Sequence, residues 1–186
     1  MNARTGGNLK ILLSEQELRG GVARLADEIN THYREQPLTI IGVLTGSVVL
    51  LADLIRLLTM PLRVGVIQAR SYRGSATSPG ELTIQSDLLP DIRGRQVLVV
   101  DDIFDTGQTL LKLAEQLGTL EPASLRLAVL LRKQGRQRVE IKPDYVGFEI
   151  PDAFVVGYGL DYQDEYRNLP YVAALEAAEL AAGSTT

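Results

Sequence analysis

The chain has no cysteine and no tryptophan, only three phenylalanines and a single histidine. The missing thiols exclude disulfides, thiolate metal sites and cysteine nucleophiles. Few aromatics beside many aliphatic residues suit a mixed α/β domain better than an aromatic-rich β-sandwich. Basic excess is missing too: 19 Lys and Arg against 23 Asp and Glu give a formal net charge of -4, and the sequence pI is near 5.1. That balance argues against a nucleic-acid partner, while leaving room for a local basic pocket around a phosphorylated substrate. The opening residues, MNARTGGNLK, hold no apolar core of signal-peptide length. No stretch approaches the roughly 18 apolar residues that span a bilayer. A cytoplasmic protein without a membrane partner is the expectation. Neither an internal repeat nor a linker divides the 186 residues, so 1–186 reads as one domain with a substantial core.

Along the chain, residues 1–8 read as a disordered lead and Leu9 to Leu13 as a strand or turn. Ser14 and Glu17 form an S-x-x-E capping box. Behind it, Leu18, Val22, Leu25, Ile29 and Tyr33 recur at helical spacing, although Gly20 and Gly21 weaken that helix. His32 lies near its end and takes no catalytic role. Leu38 to Leu44 is apolar nearly throughout, as in a parallel strand buried on both faces. A helix over Val48 to Leu58 and a strand over Leu62 to Ala69 follow. Residues 70–82, RSYRGSATSPGEL, form the longest polar, turn-prone stretch, a functional or disordered loop, before a short strand at Leu82 to Ser86. Val97 to Val100 is the next strand, with a loop from Asp101 to Gly107 and a helix over Gln108 to Leu117. Strands are expected at Leu125 to Leu131, Tyr145 to Phe148 and Phe154 to Val156, and a helix over residues 171–181. The order predicts an α/β fold with an open, mostly parallel sheet flanked by helices.

The segment Val97 to Thr109, VLVVDDIFDTGQT, carries the chemistry. A buried strand delivers its carboxyl end to a ligand crevice, as open α/β sheets do. Asp101 and Asp102 sit at that end, and Asp105 comes three residues later. Thr106-Gly107-Gln108-Thr109 then opens a helix, whose N-terminus offers free N–H groups and a positive dipole end to phosphate. Adjacent carboxylates can accept hydrogen bonds from vicinal sugar hydroxyls. Read blandly, the segment is a solvated acidic turn before a capped helix. The apolar strand, the paired acids and DTGxT in one register favour a grip on phosphate and sugar together. No G-x-x-x-x-G-K-[ST] and no GxGxxG occurs, so a P-loop or dinucleotide fingerprint does not compete.

This segment resembles the phosphoribosyl-diphosphate (PRPP) signature of type I phosphoribosyltransferases. KPDYVGFEIPDAFVVGYGLDYQDEYRNLPYVAAL, Lys142 to Leu175, resembles the hood of the hypoxanthine-guanine branch, bacterial type. IGVLTGSVVLLADL resembles its diphosphate loop, and RSYRG the start of its mobile loop. The resemblance implies a type I phosphoribosyltransferase fold, its core at about 35–140 and a small hood formed by terminal segments at about 9–15 and 142–175. It implies a purine-salvage transferase that uses PRPP, a purine base and Mg²⁺, assembled as a homodimer or homotetramer. Asp101 and Asp102 would hold the ribose hydroxyls, and Thr106, Gly107, Gln108 and Thr109 the 5′-phosphate. Asp105 would be the general base near purine N7, and Lys133 would contact the 6-oxo group. Phe154 would stack on the base, with the Val155 backbone at its edge. Leu44, Thr45, Gly46 and Arg167 would contact diphosphate, with a cis peptide at Leu44-Thr45. Asp161 would reach both the purine side and Mg²⁺, with Asp101 and Asp102 beside the metal, and Ser71 and Tyr72 would ride on the lid.

Taken singly, each residue has a plain alternative. Phe154 could be core, Lys133 a solvated cation, Asp161 a turn cap, Arg167 an ion-pair partner and Tyr72 an ordinary loop aromatic. Gln108, Thr45 and Ala153 stand where human-like members carry lysine, and Asp101 where they carry glutamate, so positive charge near the phosphates is reduced. Two rivals share the loop: an RNA-binding regulator of pyrimidine genes, which needs a basic face that this acidic chain does not advertise, and a catalytically dead PRPP sensor, which the presence of Asp102, Asp105, Lys133 and Asp161 opposes.

Overall fold

The structure, a computed structural model, describes residues 9–71, 82–85 and 88–176. The disordered lead expected at 1–8, the loop residues 72–81 with Tyr72, and Ser86 lie outside those residues. The elements are β1 (Lys10–Leu13), α1 (Glu15–Tyr33), β2 (Leu38–Leu44), α2 (Val48–Ile55), β3 (Leu62–Ser71), β4 (Leu82–Gln85), β5 (Gln96–Phe104), α3 (Gln108–Gly118), β6 (Ser124–Lys133), β7 (Tyr145–Ile150), β8 (Phe154–Val156) and β9 (Val172–Leu175).

Six strands make the main sheet in the order β4-β3-β2-β5-β6-β7, and β1-β9-β8 make a small second sheet. Within the main sheet β3, β2, β5, β6 and β7 run parallel, and only β4 is antiparallel. Alternation along the central strands feeds two cores. Leu38, Ile40, Leu98 and Val100 face a cluster shared with α1 and α2. Ile41, Val43, Val97 and Val99 face one shared with α3. All four residues of Val97–Val100 are fully buried, the mark of a strand covered on both faces. The chain steps from β2 through α2 to β3 in one direction and from β5 through α3 to β6 in the other. The switch point between β2 and β5 is where such sheets open a ligand crevice.

The capping box forms as the sequence predicts: Glu17 N–H donates to the Ser14 hydroxyl, while Ser14 N–H donates to the Glu17 carboxylate at 2.8 Å. Leu18, Val22, Leu25, Ile29 and Tyr33 are all buried along α1.

Several boundaries differ from expectation, each for a tertiary reason. β5 does not stop at Val100; it runs to Phe104 because β6 goes on pairing with it through Phe104↔Arg132. Asp101 and Asp102 are therefore strand residues, not loop residues. α2 ends at Ile55, where the chain tightens into a turn with Leu57 N–H on the Leu54 carbonyl. Arg70 and Ser71 extend β3 opposite Thr83 and Leu82 instead of opening a loop. The helix expected at 171–181 is a correction: Val172–Leu175 is the central strand of the small sheet. Its Ala pairs are poor strand formers, but pairing on both edges and burial override that weak preference. Residues 177–181 lie outside the description. β7 is an edge strand of the main sheet, so the small sheet draws on β1, β8 and β9 rather than on everything from 142 onward.

Ala174 faces Lys10 on one side and Val155 on the other. Ala174→Pro removes a ladder donor from that doubly paired strand. We expect a loss of about 1–3 kcal/mol, the usual penalty for a stranded buried acceptor, read as a lowered midpoint in urea unfolding.

Candidate active site

Two clefts open side by side where the parallel strands end. The first, about 280 Å³, is lined by Leu44 at the end of β2 and Gly46 just after it, by Asp101 and Asp102 near the end of β5, and by Asp105, Thr106, Gly107 and Thr109 on the way into α3. The second, about 230 Å³, is lined by Lys133 at the end of β6, Phe154 and Val155 on β8, and Asp161. Asp102, Ile103 and Asp105 line both.

Local backbone geometry explains the first cleft. Gly107 caps α3 with φ of 83° and no side-chain hydrogen bond, so a turn only glycine adopts freely leads into an open helix N-terminus. A Cβ there would also meet Phe104 and Val139. The Leu44–Thr45 peptide bond is cis. Gly46 lies directly against the Asp102 carboxylate, with no space for a side chain.

Asp101 is buried, and Asp102 N–H donates to its carboxylate at 3.0 Å. Burial, then the charge of Asp102, pushes the Asp101 carboxyl well above its ordinary range. Burial also raises Asp102, although hydrogen bonds with Asp101 and the backbone and the charge of Arg167 offset part of it. Asp105 goes the other way. Its partial burial acts to raise it, but Arg136 and Lys133 outweigh that and hold its carboxyl below the usual range. Lys133 Nζ donates to Asp105 Oδ2 at 3.2 Å, and Arg136 Nε to Oδ1 at 2.9 Å.

In the second cleft Phe154 remains 41% exposed, unusual for a large aromatic, with the Tyr162 ring edge-on at 5.4 Å. Val155 is held in register opposite Ala174. Asp161 accepts Asp164 N–H at 2.9 Å and pairs with Arg167 at 2.9 Å. Arg167 also donates to the Gly159 carbonyl at 2.8 Å.

The structure thus brings together Leu44, Gly46, Asp101, Asp102, Asp105, Thr106, Gly107, Thr109, Lys133, Phe154, Val155 and Asp161. Thr45, Gln108 and Arg167 stand off the cleft walls: Thr45 and Gln108 are exposed, and Arg167 is engaged with Asp161. Ser71 ends β3. Sequence reasoning missed Arg136 and Asp152, both of which join the Asp105–Lys133 cluster. The available signal for Arg136 was the basic run R-K-Q-G-R that starts in the last two residues of β6, because the carboxyl ends of parallel strands face the crevice.

A group whose carboxyl is raised by folding costs stability once ionised. The cost sets in as pH climbs through the unfolded aspartate value, about 3.9. Asp101→Asn removes that charge. We expect a higher Tm at pH 7 without ligand, at about 2–4 °C per kcal/mol for a chain of this size, and a difference that shrinks toward pH 4. Thermal scans at the two pH values measure it.

The phosphoribosyl transferase domain model matches residues 8–163. The hypoxanthine-guanine phosphoribosyltransferase of Bacillus subtilis strain 168 is 41% identical over 169 residues, covering 91% of this chain and 94% of its own. The hypoxanthine phosphoribosyltransferase of Haemophilus influenzae is 39% identical, covering 92% and 98%. Among solved structures, a Trypanosoma cruzi hypoxanthine phosphoribosyl transferase superposes with a TM-score of 0.89 at 38% identity, over 97% of this chain and 98% of that one. The paired clefts sit on the fold of these enzymes, and the chain belongs to the phosphoribosyltransferase family, in its hypoxanthine-guanine branch.

Proposed function

We infer that the chain transfers the 5-phosphoribosyl group from PRPP to hypoxanthine or guanine, giving IMP or GMP and diphosphate. The observation that carries this reading is the common wall of Asp102, Ile103 and Asp105 between a cleft at the N-terminus of α3 and an aromatic-lined one. A sugar bridging two such clefts presents its C1 atom to both.

In the first cleft the N–H groups and hydroxyls of Thr106 to Thr109 hold the 5′-phosphate, helped by the helix dipole. Asp101 and Asp102 accept from the ribose 2′- and 3′-hydroxyls. Leu44, Thr45 and Gly46 cradle the diphosphate, and Arg167 reaches it by leaving Asp161. In the second cleft Phe154 stacks on the purine and the Val155 backbone meets its edge. Lys133 donates to the 6-oxo group; adenine, with an amino group there, would face that ammonium badly.

The purine ring must lose a proton as it bonds to the sugar. Asp105 is the proton acceptor near N7. Its carboxyl is held low by Arg136 and Lys133, so it is ionised at neutral pH. A base so stabilised takes a proton readily only from an acidified donor. Lys133 on the 6-oxo group supplies that acidity by drawing electrons from the ring.

The donor set fits Mg²⁺. Asp101 and Asp102 offer only oxygen ligands, and burial pushes both carboxyls up. No cluster of three possible ligands occurs among the described residues. Mg²⁺ is commonly held by one or two carboxylates plus substrate phosphates. One or two of Asp101, Asp102 and Asp161 would hold it together with substrate phosphate oxygens, and when bound it would neutralise the leaving diphosphate. Water must be kept from a sugar that has lost its leaving group, and Ser71 and Tyr72 are where the lid of this reading begins. A homodimer or homotetramer working in the cytoplasm completes the proposal; among the described residues no helix is long and apolar enough to cross a membrane.

Steady-state assays with PRPP, Mg²⁺ and hypoxanthine, guanine, xanthine, adenine or uracil test the base. Turnover of hypoxanthine or guanine is expected, and product from adenine or uracil alone would overturn the assignment. Asp105→Asn should lower kcat by about 10²- to 10⁴-fold, and an unchanged kcat would remove Asp105 from the mechanism.

A further inference from the structure

The turn after β6 places a second cation on Asp105. Lys133 ends the strand, Gln134 N–H donates to the Ile150 carbonyl at 3.0 Å, and Gly135 turns the chain at φ of 72°. Arg136 comes back toward the start of α3. Each oxygen of Asp105 then has its own donor: Lys133 Nζ on Oδ2 at 3.2 Å and Arg136 Nε on Oδ1 at 2.9 Å. Both cations also face Asp152 Oδ1, at 3.8 and 3.6 Å. Asp152 lies two residues before Phe154. Two positive and two negative charges thus join the β5–α3 loop, the β6 turn and the approach to β8.

The two cations are not equivalent. The Lys133 side chain is only 10% exposed and lines the purine cleft. The Arg136 side chain is 39% exposed and stands off both cleft walls. A purine entering the cleft draws on Lys133 for its 6-oxo group. Arg136 has no such competing duty. Its guanidinium is a rigid donor fork with a permanent charge, well suited to fixing one carboxylate oxygen.

We propose that Arg136 is a positioning residue for the transfer: by holding Asp105 Oδ1 it keeps that carboxylate oriented while Lys133 turns to the purine, and Asp152 balances its charge beside Phe154. The inference rests on the reading of Asp105 as proton acceptor. The groups that bear on Asp105 are Lys133 and Arg136 in direct contact, Asp152 beyond them, and Asp102 and Asp161 along the same cleft. Without Arg136 the carboxylate is less stabilised, so its protonation reaches to higher pH.

Arg136→Gln, Arg136→Lys and Asp105→Asn, each in the full chain, are assayed with PRPP, Mg²⁺ and hypoxanthine from pH 3.5 to 9. Arg136→Gln should lose roughly 10- to 10²-fold in kcat, the scale of a misplaced catalytic group, with KM for PRPP unchanged. Its acid limb of kcat/KM for the base should lie at higher pH than in the parent. Arg136→Lys, which restores the charge, should recover part of the loss and move the limb back. An Arg136→Gln protein with the parent's kcat and pH profile, while Asp105→Asn is inactive, overturns the inference and leaves the base assignment standing. So does a loss of kcat with an unmoved pH profile and no recovery in Arg136→Lys. Full activity in Asp105→Asn instead removes the base assignment, and the inference with it.

Discussion

Strand β5 is held on both edges by β2 and β6 and on both faces by separate cores, and the site depends on that rigidity. Two neighbouring carboxylates, both raised by burial, resist being kept together. A loosely held strand would relieve them by moving into water. Four fully buried residues, Val97 to Val100, prevent this, and the extended ladder with β6 carries the restraint through Asp101 to Phe104. The acids are thus tolerated by the fold and available to a ligand that brings compensating charge, a common compromise between stability and function.

The second cleft is attached to the first by contacts that cross the molecule. Tyr158 OH donates to Asp53 Oδ2 at 2.6 Å, tying the chain after β8 to α2. The next residue, Gly159, sits against the Gly46 carbonyl in the loop after β2. Arg167 closes back on the Gly159 carbonyl and on Asp161. The walls of the second cleft and the walls of the first are therefore not independent bodies.

Much of this was readable in the residues. Leu38 to Leu44 and Val97 to Val100 are apolar because both faces of a parallel sheet are covered, and they are the strands that frame the crevice. Asp101 to Thr109 was readable because its functional groups are contiguous, so spacing alone puts them at one strand end. β9 was not: Ala173 and Ala174 carry helix preference, and only their neighbours on either side make them a strand. Arg136 and Asp152 were hidden for a related reason. Each becomes meaningful through a chain reversal that brings it to Asp105 from a different element. Thr45 and Gln108, singled out for lacking a lysine, are exposed, and neither lines the first cleft.

The pairing of β1 with β9 has a consequence for the order in which the protein comes into being. β1 is made before β9, and its partner residues lie some 160 positions further along the chain. While the ribosome is still working, β2, β5, α3 and β6 can already assemble, and with them most of the lining of the first cleft. β1 has no strand to join and β8 no cover until β9 emerges. The growing chain can complete the walls of the first cleft before the second has its cover.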